Sequence, residues 1–148
     1  MTRITFWILI GTCLCLYSGC SKSGIETAYV EGVITFQGEP LSQARIAFHP
    51  VNTAEGLTAN GMSDDRGVYK LTTHGGRDGG GAVVGEYVVT IAKTSMPYIP
   101  PSNSYSAEEV QAMKPKTLIP LKYKDAKTSG LTATVQKGKN DLPFDLTE

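Results

Sequence analysis

The stretch YVEGVITFQGEPLSQARIAFHP, residues 29–50, decides the fold class. In its first part Val30, Ile34 and Phe36 fall on one face, while Glu31 and Thr35 fall on the other. A period of two residues is the signature of a half-buried β-strand. The letters QGEP then interrupt the pattern with glycine and proline, which mark turns, and ARIAFHP alternates again. The stretch therefore predicts two strands joined by a turn.

Five further stretches continue this pattern toward the C-terminus. They are LTANGMS, VYKLTT, EYVVTIAK, LTATVQKG and NDLPFDLTE, residues 57–63, 68–73, 86–93, 131–138 and 140–148. The alternation places Tyr69 and Tyr87 inward. Pro143 cannot donate a backbone hydrogen bond, so the last strand is expected at an edge or paired on one side only. About seven short strands separated by turns predict an all-β protein, specifically an antiparallel sandwich.

Residues 95–121 interrupt the alternation with a proline-rich connection. Within it, SAEEVQAM places Ser106 three residues before Glu109, which is the spacing of a capping box. Pro115 follows and would stop a helix. One short helix of about two turns is therefore expected in a long insertion, and connections of this length are usually functional or mobile.

The first residues differ in composition from the rest. MTR is followed by an uncharged, mostly apolar run, Ile4 to Tyr17, which is shorter than the roughly 20 residues of a transmembrane helix. A positive start, an apolar run and small residues predict an export signal over residues 1–19. LYSGC resembles the lipobox of bacterial lipoproteins, with cleavage between Gly19 and Cys20, although Tyr17 stands where leucine is usual.

The three cysteines are Cys13, Cys15 and Cys20. The lipobox resemblance implies that Cys13 and Cys15 are discarded and that Cys20 is acylated, as with palmitate. Residues 20–28 then form a lipidated N-terminus and tether, and 29–148 the folded domain. An ordinary cleaved signal, an uncleaved anchor and a metal site from the three cysteines are the alternatives. Several acyl chains would hold the protein stably at a membrane.

The net charge of the chain and the residue that follows Cys20 indicate which partners and which location the protein has. The 148 residues carry no net charge, which argues against nucleic acid as a partner. Ser21 is unlike the aspartate that signals inner-membrane retention in well-known lipoproteins. The sequence therefore predicts a lipid-anchored protein of the cell envelope, on the periplasmic or surface face of the outer membrane in preference to the inner membrane.

Three stretches together resemble the carboxypeptidase regulatory-like, transthyretin-like domain. They are VEGVITFQGEPLSQARIAFHP, SDDRGVYKLTT and GEYVVTIAK. The matching motif residues include Gly38, Pro40, Asp64, Gly67, Tyr69, Gly85 and Tyr87, and they are expected to be structural. The resemblance implies a seven-stranded antiparallel Greek-key sandwich, transthyretin-like or immunoglobulin-like, without catalytic machinery. It implies a non-catalytic binding or structural module.

Catalytic and metal chemistry find little support in the sequence. Transthyretin-like folds include hydroxyisourate hydrolases, which resemble one another in a His and Arg constellation and a C-terminal Y-R-G-S. Arg45 and His49 share an outward face, but the chain ends in FDLTE. No His pair has zinc-ligand spacing, and the Asp64 turn lacks the spacing of a calcium loop. A transthyretin-related hydrolase of the hydroxyisourate type is the further alternative function, and no catalytic residue, metal ligand or cofactor is assigned.

Two surfaces are candidates for partner binding. One is the tyrosine and proline surface of the insertion, with Tyr98 and Tyr105 and reaching to Tyr123, since such rings suit a protein or glycan partner. The other is a lysine surface that could face anionic lipid or polysaccharide. Its residues are Lys114, Lys116, Lys122, Lys124, Lys127, Lys137 and Lys139. An envelope protein or polysaccharide is the expected partner, and a carbohydrate-binding module is the main alternative function.

Overall fold

The computed structural model describes residues 25–54, 56–74, 80–95, 106–112 and 115–148. This part of the chain is mainly β-structure in two sheets. The strands are β1 Tyr29–Phe36, β2 Glu39–Pro40, β3 Arg45–Pro50, β4 Ala59–Met62, β5 Val68–Lys70, β6 Thr72–Thr73, β7 Gly85–Ala92, β8 Leu131–Val135, β9 Lys139–Asp141 and β10 Phe144–Leu146. The helical elements are α1, Ala107–Ala112, and a 3₁₀ helix, Leu121–Lys124. The all-β prediction is confirmed.

The first sheet is built around β1. On one side β1 pairs antiparallel with β5 and then with β2, and on the other side it pairs parallel with β9 and then with β10. The second sheet has the order β6-β4-β3-β7-β8, and all of its pairings are antiparallel. Its centre is the long β3–β7 pairing, in which Arg45 lies opposite Ala92 and Pro50 opposite Tyr87.

The expectation of a wholly antiparallel sandwich is wrong for the last part of the chain. Tyr29 lies opposite Lys139 and Ile34 opposite Phe144 in parallel register. The chain passes from β8 in the second sheet to β9 in the first, and this connection brings the last strands beside β1 in the same direction. Alternating apolar residues report which face of a strand is buried, but they do not report its direction.

Each of the seven predicted strands is found, and two of them are interrupted. VYKLTT divides at Leu71, where the chain leaves the first sheet after β5 and enters the second as β6. NDLPFDLTE divides at Leu142 and Pro143, between β9 and β10. The predicted helix is present as α1, while the Glu109 side chain of the expected capping box lies outside the described residues.

The inner faces of the two sheets share one core. Phe48 of β3 is fully buried, and its ring centre lies 5.7 Å from that of Tyr87, 6.0 Å from Phe144 and 6.5 Å from Tyr69. Tyr69 and Phe144 belong to the first sheet, so these rings join both layers. Tyr69 and Tyr87 are buried, as the alternation predicts. Further side chains that are fully buried in this core are Val30, Ile34, Ile46, Leu71, Val89, Ile91, Val135 and Leu146.

A close approach at Gly32 explains the interruption of the last strand. The Leu142 N–H donates to the Glu31 carbonyl at 2.9 Å, and the Tyr69 hydroxyl donates to the Leu142 carbonyl at 2.6 Å. A Cβ at position 32 would collide with that carbonyl and lie 2.9 Å from the Tyr69 ring. Gly32 therefore admits the Leu142 carbonyl to the inner face, where the tyrosine satisfies it.

Candidate functional site

A hollow lies on the outer face of the second sheet. Its volume is about 520 Å³. Two rows of side chains cross the strands there. One row holds Met62, Arg45 and Ala92, and the other holds Thr72, Asn60, Ala47 and Thr90. The longer row crosses four strands, which is roughly 14 Å at ordinary strand spacing. We call this hollow the outer groove.

The shape of the outer groove follows from side-chain size. Ala47 and Ala92 stand at its floor between longer neighbours. Met62, at 56% exposure, forms an apolar part of the wall. The remaining wall residues are polar, so the hollow offers both apolar contact and hydrogen bonding, as ligand sites commonly do.

Two strong hydrogen-bonding groups at the outer groove have no protein partner among the described residues. Arg45 is exposed on β3, and neither an ion pair nor a hydrogen bond engages its guanidinium there. Asn60 on β4 likewise keeps its side-chain amide unbonded within the described chain. An arginine fork suits a carboxylate, and an amide suits hydroxyl and carbonyl groups. The outer groove can therefore form hydrogen bonds with a polar ligand.

The Arg45–His49 pair does not form a reactive constellation. The two residues share the outer face of β3, as predicted, but four residues of strand place their Cα atoms roughly 13 Å apart. The His49 Nε2 atom lies 3.0 Å from the Thr90 hydroxyl. Within the described residues, no three His, Cys, Asp or Glu side chains are grouped as a metal centre would require.

The residues of the family-like motif serve local structure. Asp64 Oδ1 accepts the N–H groups of Arg66 and Val68, each at 2.9 Å. The bond from Val68 is the main cause that lowers the Asp64 pKa from its ordinary value, and the Arg66 N–H adds to it. Gly67 has a φ of 75°, a backbone conformation that favours glycine.

The other motif residues also lie in strands and turns. The QGEP turn is present, with φ values of 54° at Gln37 and 81° at Gly38, and Pro40 pairs with Thr35. Gly85 begins β7 opposite Val135. The Tyr87 hydroxyl donates to the Val83 carbonyl at 2.7 Å, and burial raises the pKa of this phenol. Each of these residues therefore lies in a strand or a turn of the domain.

Tyr123 does not belong to a partner surface, which corrects that prediction. It is 5% exposed, in the 3₁₀ helix. Its hydroxyl donates to the Thr147 carbonyl at 2.9 Å and accepts from the Thr147 N–H at 3.0 Å. Ile119 is buried beside it in the same core cluster. The end of the insertion is thus packed onto the domain together with the C-terminal residues.

The lysine surface is divided between two ends of the domain. Lys116, Lys122 and Lys124 are exposed, as predicted, and Lys122 donates to the Glu148 backbone carbonyl at 3.0 Å. Lys137 and Lys139 follow β8 at its other end, where Lys137 lines a small hollow with Ala28. The described lysines therefore do not form one continuous basic face.

A charged cluster lies at the start of β1. Glu31 forms an ion pair with Lys139 at 2.7 Å and accepts the Tyr29 hydroxyl at 2.7 Å. The hydrogen bond from Lys139 is the main cause that lowers the Glu31 pKa, and the same bond raises the Lys139 pKa. Because Glu31 and Lys139 carry opposite charges and bond to each other, this ion pair joins β9 to β1.

Several predicted residues lie outside the described residues. They are Gly19 and Cys20 of the signal and anchor, Tyr98 and Tyr105 of the insertion, and Lys114 of the lysine surface. Within the described ranges, no helix has the length and apolar character needed to cross a membrane.

Sequence reasoning identified Arg45 but missed the other polar residues of the outer groove. Asn60, Thr72 and Thr90 are outward positions on three strands that are separated in sequence, and only the strand order brings them together. The only sign of them in the sequence was that they fall on the polar face of the alternating stretches.

Comparison of the chain with protein-family models, with curated proteins and with solved structures finds no match.

Proposed function

We propose that this chain is an exported, lipid-anchored protein whose domain is a non-catalytic binding module of the cell envelope. The domain would be a Greek-key sandwich of the transthyretin-like kind, in which the seven predicted strands, two of them interrupted, form the two sheets. The outer groove would hold the ligand. The observation that carries the proposal is the hollow of about 520 Å³ bordered by Arg45 and Asn60, whose side-chain polar groups have no partner among the described residues.

The lining of the outer groove favours carbohydrate as the ligand class. Arg45, Asn60 and Thr72 offer guanidinium, amide and hydroxyl groups, which match the hydroxyl and carboxylate groups of an acidic polysaccharide. Ala47 and Ala92 leave a flat, apolar floor against which the carbon face of a sugar ring can lie. A sugar that carries a carboxylate would satisfy the guanidinium that the protein leaves unpaired.

The binding experiment uses the full-length protein and two matched panels of oligosaccharides, one neutral and one bearing uronic acids. Arg45→Ala should weaken binding to the acidic panel by roughly 10- to 150-fold, since a hydrogen bond to a charged group is lost. Asn60→Ala should weaken binding to both panels. Arg66→Ala is the control, because Arg66 lies in an exposed turn beside Asp64. Absence of binding to either panel would remove the carbohydrate form of the proposal.

Support for the anchor comes from LYSGC, residues 16–20, which follows the apolar run. Cys20→Ala should move the protein from the membrane to the soluble fraction and abolish labelling with a fatty-acid probe. Cys15→Ala, four residues before the proposed cleavage site, should change neither result. Membrane association that survives Cys20→Ala would instead indicate an uncleaved signal.

The proposed destination is the outer membrane, because Ser21 does not match the retention signal described above. Density-gradient separation of the two membranes tests this assignment directly. The wild-type protein should travel with outer-membrane markers, and Ser21→Asp should shift it toward inner-membrane markers. A wild-type protein found with the inner membrane would contradict the assignment.

A further inference from the structure

The strand β8 forms an edge of the second sheet. It pairs with β7 through five positions, from Val89 opposite Leu131 to Gly85 opposite Val135. Across the described residues, no strand lies on its other side. An open edge presents backbone N–H and C=O groups that can pair with another strand.

The neighbouring strand pairings show which backbone groups of β8 point toward β7 and which point away from it. The Val51 N–H donates at 2.9 Å to the carbonyl of Glu86, which continues the β3–β7 register by one pair. Antiparallel strands alternate hydrogen-bonded and non-bonded pairs. Even-numbered residues of β7 therefore bond to β3, and odd-numbered ones bond to β8. It follows that Leu131, Ala133 and Val135 bond to β7, while the backbone groups of Thr132 and Thr134 point away.

One side chain closes the C-terminal end of this edge. The backbone groups of Gln136 also point away from β7, as those of Thr132 and Thr134 do. However, the Gln136 N–H donates to Asn140 Oδ1 at 2.9 Å, and its carbonyl accepts from Asn140 Nδ2 at 2.8 Å. The Asn140 amide thus occupies the place of a neighbouring strand. The open part of the edge is reduced to the segment from Thr132 to Thr134.

The open segment lacks the features that usually protect an edge. Natural edges carry lysine, proline or other interruptions that discourage pairing. The outer edge of β9 and β10 has such features in Lys139, Asp141, Pro143 and Asp145. β8 reads LTATV, without a charge or a proline, and both of its threonines are exposed.

We propose that this edge is the contact between two copies of the chain. A two-fold axis at Ala133 would place the β8 strands antiparallel, with Thr132 of each copy opposite Thr134 of the other. Each such pair exchanges both of its N–H···O bonds, so every outward backbone group of the open segment is satisfied. Ala133 of one copy would lie opposite Ala133 of the other, where two small side chains fit without a steric clash.

A second copy fits this edge because the segment is self-complementary. The two threonines lie symmetrically about Ala133, as an isologous two-fold contact requires. The segment carries no charge that would attract a differently charged partner. Paired strands of this length bury less than about 1,000 Å², so the dimer is weak and depends on concentration.

The test is sedimentation equilibrium of the full-length protein in detergent micelles over a range of concentrations. The first variant carries Thr132→Lys and Thr134→Lys, and the second carries Thr132→Glu and Thr134→Glu. Each variant alone should have its dimer weakened by roughly two- to thirtyfold, because like charges then face each other across the contact. An equimolar mixture should regain association, since each lysine faces a glutamate.

The controls separate the contact from effects on folding. Val33→Lys and Val33→Glu place the same charges on the outer face of the first sheet, at a half-exposed position away from β8, and should leave the dimer unchanged. Thermal unfolding should show that all variants are folded. A wild-type protein that stays monomeric at every concentration would overturn the proposal, and so would a dimer insensitive to both edge variants. A mixture that fails to associate would overturn the pairing register and the proposal with it.

Discussion

At the scale of single residues, the contact between Tyr69 and Leu142 shows how one glycine permits a buried polar bond. The Leu142 carbonyl enters the core over Gly32, and the Tyr69 hydroxyl is its partner. Burial of the Tyr69 ring raises the pKa of its phenol, so the hydroxyl remains a donor throughout the ordinary pH range. Tyr69 therefore contributes a buried hydrogen bond in addition to its packing between the sheets.

Tyr69→Phe is expected to lower the free energy of unfolding by about 1–3 kcal/mol, because it leaves the Leu142 carbonyl without its buried partner. Urea denaturation followed by fluorescence or circular dichroism measures the change. Tyr29→Phe is the matched control, since its hydroxyl bonds to Glu31 on the outer, partly exposed face. Equal losses in the two variants would contradict the importance of the buried bond.

The turn at Asp64 has a pH dependence with a definite sign. Folding lowers the pKa of this carboxyl, mainly through the N–H of Val68, so the folded state favours the ionised form. The resulting stabilisation is complete above the ordinary aspartate pKa of about 3.9 and is lost as the pH falls through the lowered value. Asp64→Ala should therefore be less stable than the wild type at neutral pH, and the difference should narrow in acid.

Denaturation at a series of pH values from neutral to strongly acidic tests the Asp64 prediction. Asp65→Ala is the control, because the neighbouring carboxylate makes no hydrogen bond within the described chain. Its difference from the wild type should stay small at every pH. A difference for Asp64→Ala that does not change with pH would show that the ionised carboxylate is not what holds the turn.

Local spacing predicted these turn residues because their causes are local. A D-x-x-G turn brings together groups within four positions, so Asp64 and Gly67 could be assigned from sequence alone. Tyr123 could not be assigned in this way. Its partner, Thr147, lies 24 positions away, and an isolated tyrosine in a polar segment gives no indication of which surface it will contact.

At the scale of elements, the alternation predicted every long strand but neither their directions nor their interruptions. Residues 68–73 read as one strand, yet the chain changes sheet at Leu71. Residues 140–148 read as one edge strand, yet β9 and β10 run parallel to β1 on either side of Leu142. Both features depend on contacts between distant parts of the chain, which a period-two pattern does not contain.

Asn140 connects three elements and is expected to stabilise all of them. Its amide bonds to the Gln136 N–H and carbonyl and donates to the Tyr29 carbonyl at 3.1 Å. Asn140→Ala should lower the free energy of unfolding by about 1–3 kcal/mol, because buried groups lose their partners. It should also speed amide hydrogen exchange at Gln136.

Asn60→Ala provides the matched comparison for Asn140. Asn60 is exposed in the outer groove, and its amide makes no bond within the described chain, so its removal should change stability by less than about 0.5 kcal/mol. Hydrogen exchange followed by NMR measures both effects at single residues. Unchanged exchange at Gln136 in Asn140→Ala would contradict the role of the amide in closing the edge.

At the scale of the whole molecule, the outer groove and the β8 edge lie on the same sheet and use different parts of it. The groove crosses β6, β4, β3 and β7, whereas the edge belongs to β8. Pairing of two copies would extend the sheet at the β8 side and leave both grooves open. Neither feature could be located from the sequence, because each depends on the order of strands within the sheet.

The shared core predicts that the two sheets unfold together. Phe48 of the second sheet contacts Tyr69 and Phe144 of the first, and aromatic pairs contribute beyond the area they bury. Phe48→Leu should therefore lower the free energy of unfolding by about 1–3 kcal/mol. The loss should be the same when followed at slowly exchanging amides of β1 and of β7, since small domains usually unfold in one step. Val51→Ala, at a position 61% exposed just beyond β3, should leave both unchanged. A loss confined to the amides of β7 would show that the sheets are separate folding units, despite the rings between them.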